Sequence, residues 1–207
     1  MSERDVGRTL IGDSVTLRPF ADGDEALLFR MYKDAELARI VPQPVHASLD
    51  ESRALLTRIR ERNATGATIG WVIELRDGTS VGTTGLVRID SELAKADIAY
   101  YVARDYWGSG IAHDAVATVL RFAFETLHLT RVVARVDAMN VRSQRFALRQ
   151  GFVARGSFEE PFEGETRTTL VFERVARFEV RRVQPTRCGA TSDGSLTRAC
   201  ARPVGLR

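Results

Sequence analysis

AYYVARDYWGSGIAHDAVATVLRFAFETLHLTRVVARVDAMNVRSQRFALRQGFVARGSF, residues 99–158, is the stretch whose reading decides the fold. An apolar strand, Ile98 to Val102, runs into a short turn holding Gly108 and Gly110. Val116, Val119, Leu120, Ala123 and Leu127 then recur at i, i+3 and i+4 spacing, which predicts one long helix with an apolar face. A second strand follows from Arg131 to Val136, then a short helix from Asn140 to Gln150, then a third strand opening with Gly151-Phe152. Strand, glycine turn and helix together suit phosphate. The first helical turn leaves N–H groups without intrahelical partners, and its dipole favours negative charge. Glycines at alternate positions let the backbone come close to a ligand. Trp107, Gly108, Ser109, Gly110, Ile111 and Ala112 are therefore a candidate row of donors to a pyrophosphate. The two glycines alone fit a tight turn that binds nothing equally well.

The whole segment narrows the choice. It resembles motifs A and B of the GNAT (Gcn5-related) N-acetyltransferases, and within them the RimJ/RimL-like branch that acetylates protein N-termini. That family's coenzyme A loop, Gln/Arg-x-x-Gly-x-Gly/Ala, lies over Trp107 to Ala112. Trp107 departs from its first position, although Tyr-Trp-Gly-x-Gly is common in this branch. Asp137-x-x-Asn140-x-x-Ser143 and Gly151-Phe152 match the branch in order and spacing. The resemblance covers roughly residues 13–175 and is strongest in the central third.

The resemblance implies a mixed α/β fold: a mostly antiparallel twisted sheet, about four flanking helices, and a splayed parallel strand pair at the cofactor site. It implies acetyl-CoA as cosubstrate, with no metal. The thioester carbonyl would lie against backbone N–H groups near Tyr100, Tyr101 and Val102, with the pantetheine added in the splay like a further strand. Asn140 would sit near the pantetheine and also cap the short helix, with Ser143 at its third position. Tyr32 and His46 would help wall the acceptor site, although His46 also reads as an exposed histidine on a surface loop.

Acetyl transfer to an amine needs the reactants held together, a neutral amine, a donor for the developing oxyanion and a proton for the departing thiolate. A peptide α-amine, with a pKa near 7.8, is roughly a tenth neutral at pH 7, whereas a lysine side chain is neutral in on the order of one molecule in a few thousand. An α-amine therefore needs only a carboxylate acting through water. Asp97 occupies the place where this branch commonly carries a Glu, as base or water-orienting group; it also reads as a solvent-facing strand-end aspartate. Many GNAT proteins place a tyrosine acid four residues before the Gly-Phe glycine. That position is Ala147 here, and the branch pattern offers Ser143 instead. The acceptor expected is a protein N-terminal α-amine. The alternatives are a small amine such as an antibiotic or polyamine, or a catalytically silent acyl-CoA-binding module.

The remaining composition bounds the problem. At 207 residues, 44% apolar and 28% charged, the chain suits one globular domain. The net charge of +3 is unevenly spread: residues 177–207 carry +5, leaving −2 on the rest. The basic balance is thus no sign of nucleic-acid binding by the domain. Cys188 and Cys200 both lie in that tail, at a spacing that fits no common zinc motif. No run approaches 18 apolar residues, and the N-terminus lacks the apolar core of a signal peptide. This points to the cytoplasm, with no membrane partner; the sequence leaves monomer and homodimer both open.

Outward from the centre, Val15–Pro19 reads as an opening strand, and Asp22 or Asp24 is placed to cap the following helix. Ser48 with Glu51 is a capping-box pattern for a second helix through about Arg62. Residues 68–75 and 80–89 read as a hairpin across Asp77-Gly78, with Gly70, Gly82 and Gly85 marking bulges or close packing. Arg167–Arg174 is the last strand. The division expected is a flexible N-terminus over 1–12, an acetyltransferase domain over 13–175, and an Arg-rich disordered tail over 176–207.

Overall fold

The computed structural model describes residues 7–34, 44–162 and 164–176. Eight strands form one sheet: β1 (Leu10–Ile11), β2 (Val15–Pro19), β3 (Ile69–Leu75), β4 (Ser80–Asp90), β5 (Lys95–Val102), β6 (Arg131–Asp137), β7 (Val153–Phe162) and β8 (Glu165–Val175). The described helices are α1 (Glu25–Tyr32), α2 (Leu49–Ala64), α3 (Ile111–Arg121) and α4 (Val141–Arg149). Strand order is β1-β2-β3-β4-β5-β6-β8-β7, and every neighbouring pair is antiparallel except β5 with β6.

Alternation sets the two faces of this sheet. Val15, Leu17, Ile69, Trp71, Ile73, Ala96, Ile98, Val132 and Ala134 pack with the apolar stripe of α3 in one core. On the opposite face Leu27 and Met31 of α1 meet Val72, flanked by Phe20, Tyr32 and Tyr101. Close strand approach is built into β4: a Cβ at Gly82 would stand 2.3 Å from the Tyr101 carbonyl oxygen. Of the bulge or close packing expected at Gly82, the structure has the close packing.

Three local readings change. Leu10 and Ile11, within the stretch expected to be flexible, pair with β2, and Leu10 enters the core. Asp114 holds this edge, accepting from the backbone N–H groups of Asp13, Ser14 and Val15 and from the Ser14 hydroxyl. The carboxylate of Asp24 does not cap α1. It accepts from Arg18 and from the N–H of Ala21 instead. The long helix is regular only to Arg121 and then widens into a π turn over Phe122–Thr126. The Ser48 cap is present, its Oγ accepting from the Glu51 N–H at 3.3 Å, while Glu51 reaches back to Ala47. The tail beyond Ala176 lies outside the described residues.

Candidate active site

The parallel pair β5–β6 is hydrogen-bonded only over Lys95↔Arg131, Ala96↔Val132 and Asp97↔Val133. Beyond Asp97 the strands part, while β5 stays paired to β4 as far as Val102. A cavity of about 550 Å³ occupies this split and runs along the start of α3 and the side of α4. Backbone groups of alternate residues face the gap, because strand hydrogen-bonding direction alternates. The Val102 carbonyl is one of them, and it accepts from Trp107 Nε1 at 2.7 Å.

The glycine turn closes one end. Gly108 and Gly110 have φ of 84° and 88°, in the left-handed region that a side chain disfavours. Gly110 is the N-cap of α3, and no side chain caps that end. The row of available donors is shorter than the sequence suggests. Trp107 spends its N–H on the Arg104 carbonyl within the turn, so the open part begins at Gly108. Gly108, Gly110 and Ala112 line the cavity; Ser109 turns its hydroxyl back to the Tyr106 carbonyl. Arg142 lies 4.4 Å from the Trp107 ring centroid and also lines the cavity, with Arg149 and His113 nearby in its wall. These three side chains carry no sequence signature of their own. They are missed because only the docking of α4 brings Arg142 and Arg149 beside the turn, next to His113 of α3.

On the same side, the Asn140 side chain caps α4 by accepting from the Ser143 N–H at 3.0 Å. The Ser143 Oγ stands 2.7 Å from the Tyr100 hydroxyl, and the Tyr100 ring packs 4.8 Å from that of Phe146. Burial raises the Tyr100 pKa, with the Ser143 hydrogen bond acting the other way, so the phenol keeps its proton at neutral pH.

Asp97, whose side chain is 9% exposed, sits where the strands part. It does not face open solvent. Its Oδ2 accepts from Arg88, with Nε at 2.7 Å and the second guanidinium nitrogen at 2.5 Å, and from Arg135 Nε at 2.6 Å. Oδ1 takes none of these bonds. Tyr101 lies on the α1 side, donating its hydroxyl to the Met31 carbonyl at 2.8 Å. Tyr32 and His46 stack with ring centroids 4.7 Å apart, and His46 Nδ1 is 2.7 Å from the Ser52 Oγ. His46 is buried, not exposed, and burial pushes its pKa down. Neither Tyr32 nor His46 lines the cavity; they stand behind Tyr101.

A sheet opened at its one parallel pair, with an uncapped helix start on one side of the opening, is the arrangement that the resemblance to the GNAT acetyltransferases implies. The chain belongs to the acetyltransferase (GNAT) domain family, which matches residues 14–153. It is 28% identical over 136 residues to an uncharacterized N-acetyltransferase, p20, of Bacillus licheniformis, covering 65% of this chain and 76% of that one. Over 82 residues it is 34% identical to YdaF of Bacillus subtilis, whose name proposes a ribosomal N-acetyltransferase; this covers 40% of this chain and 45% of that one. A spermidine N-acetyltransferase from Vibrio cholerae, in complex with CoA and spermine, superposes with a TM-score of 0.69 at 20% identity, covering 78% of this chain and 95% of that chain. That last likeness speaks to the fold. The chain is thus an N-acetyltransferase with acetyl-CoA as cosubstrate. Among the described residues no cluster of His, Cys, Asp or Glu could hold a metal, and no helix is long and apolar enough to cross a membrane.

Proposed function

We propose that the acceptor is an α-amine, most simply a protein or peptide N-terminus, as in the RimJ/RimL-like branch. The observation that carries this reading is the state of Asp97. Its Oδ2 is already shared by two guanidiniums, which leaves Oδ1 to orient a water or the amine. Such a group suits an acceptor that arrives partly neutral. A lysine or polyamine amine is protonated almost entirely at pH 7 and asks for more help.

In this reading the coenzyme lies on the α3/α4 side, with its pyrophosphate at Gly108 to Ala112 and its pantetheine along Tyr100, Tyr101 and Val102, near Asn140. Ser143 gives its proton to the departing thiolate. Tyr100 donates to Ser143 Oγ, passes its phenolic proton there as the serine hydrogen leaves for the sulfur, and is reprotonated from solvent. The amine enters from the α1/α2 side, past Asp97, with Tyr32 and His46 supporting Tyr101 from behind. The two proton-handling groups thus work from opposite faces of the split.

Mass spectrometry after incubating acetyl-CoA with a library of peptide N-termini and a panel of small amines is the test. Acetylated α-amines are expected. Turnover of polyamines alone would overturn the reading. Coenzyme binding without acetylation of any amine would favour a silent binding module.

A further inference from the structure

The charge around Asp97 does not balance. One carboxylate, almost buried, faces two guanidiniums whose side chains are 60% (Arg88) and 39% (Arg135) exposed, and both arginines line the cavity. A single arginine would neutralise Asp97. The second leaves a surplus positive charge, and guanidinium N–H groups beyond those bonded to Asp97, at the point where the strands part.

Arg88 reaches this place at a conformational cost. Its φ is 51°, in the left-handed region, within a register shift between Val87 and Asp90. In a regular strand Leu86 and Arg88 would share a face, and Leu86 is buried in the α3 core. The bulge swings the Arg88 guanidinium to Asp97, on the opposite face, beside Val87. Left-handed backbone is disfavoured at a non-glycine residue, and bulges beside active sites commonly re-aim a side chain. Arg135 is held from the other side, 5.4 Å above the Phe158 ring.

Of the other charged groups on this face, Asp137 and Arg167 offset one another, while Glu160 adds a carboxylate further out. Asp137 pairs with Arg167 at 3.3 Å, and Arg167 lies over Phe162. Glu160 accepts from the Thr169 hydroxyl. By register Glu160 stands opposite Arg167, further out along the sheet than the Arg135–Val171 pair. The surplus cation is therefore deep, at the split, and the carboxylate beyond Asp137 belongs to the outer rim.

We propose that Arg88 and Arg135 form an anion-recognising element that selects acceptor amines carrying a carboxylate or phosphate close to the amine. The inference rests on the proposed entry of the acceptor past Asp97. It makes polycationic amines poor acceptors, and it favours either an N-terminus with an acidic residue at its second or third position or a small amine bearing its own anion.

The test compares matched acceptors: peptides differing only by Glu, Gln or Lys at position two, free amino acids against their amides, and spermidine. For the unaltered protein kcat/KM is expected to run Glu > Gln > Lys, with a Glu-to-Lys ratio of about tenfold or more that falls with added salt. Arg88→Gln should bring that ratio close to one, and Arg88→Lys, which keeps the charge, should retain most of it. Coenzyme A affinity by calorimetry, measured on each variant, confirms a folded coenzyme side. Preference for small anionic amines over acidic peptides would support the inference and identify the source of the anion. Equal use of Glu and Lys peptides, or an unchanged ratio in Arg88→Gln, would overturn it while leaving α-amine transfer standing. Exclusive use of spermidine would overturn both.

Discussion

The two sides of the split are built by different means. The α3/α4 side is made of backbone: a glycine turn, an uncapped helix start and the edge of β5, with Ser143 and Tyr100 as its main polar side chains. The α1/α2 side is made of side chains drawn from distant strands, with Arg88 from β4, Asp97 from β5 and Arg135 from β6 meeting on one oxygen. A backbone site recognises what every reaction of the family shares. A side-chain site can change its charge by single substitutions, and so can choose the acceptor.

That contrast can be broken most directly at the two groups proposed to handle protons, Asp97 and Ser143. Asp97→Asn and Ser143→Ala are each expected to lower kcat by about 10², the lower end of general acid–base assistance, because water can replace part of either role. The Asp97→Asn loss should shrink as pH rises through the pKa of the amine, while the Ser143→Ala loss should persist and depend on the thiol leaving group. Two identical, pH-independent losses would mean that both sides act by positioning alone.

A smaller effect is expected at the backbone site. Gly110→Asp puts a side chain on a residue with φ of 88° and a negative charge at the start of α3. Loss of one charge-assisted hydrogen bond should weaken coenzyme A by roughly tenfold to a hundredfold in calorimetry on a folded variant. Unchanged affinity would reduce the turn to a plain connection.

Asp114, one turn further into α3, tests whether this side also has a purely structural part. Burial would raise its carboxyl pKa, but bonds from the backbone of Ser14, Asp13 and Val15 and from the Ser14 hydroxyl outweigh that and hold it below the usual carboxylate range. A depressed folded pKa contributes stability that is present above the ordinary carboxylate value and is lost as pH falls through the folded one. Asp114→Asn is therefore expected to cost about 1 kcal/mol at neutral pH, discounted for partial exposure, and to flatten the acid limb of the unfolding curve. An acid limb of unchanged slope would assign it to other carboxylates. The smallest effect is expected from ending the chain near Arg177. Activity should persist and the melting temperature should stay within about a degree. A drop of several degrees would show that the tail packs on the domain.

By itself the sequence determined the order of strands and helices from β2 onward, the glycine turn and the Asn140 cap, and put Asp97 on β5 and Ser143 on α4. These are local or follow from periodicity, since a helix stripe or an αL glycine leaves its mark within a few residues. It also pointed to Tyr32 and His46 as acceptor-site residues, and the structure stacks Tyr32 between His46 and Tyr101. Only the tertiary structure decided that Tyr100 meets Ser143 across 43 positions, that Arg142 covers Trp107, and that Arg88 and Arg135 share Asp97. Those contacts depend on strand register, on one bulge after Val87 and on where two strands stop pairing. A register or a bulge is fixed by packing against partners far along the chain, so it cannot be read from any one stretch of it.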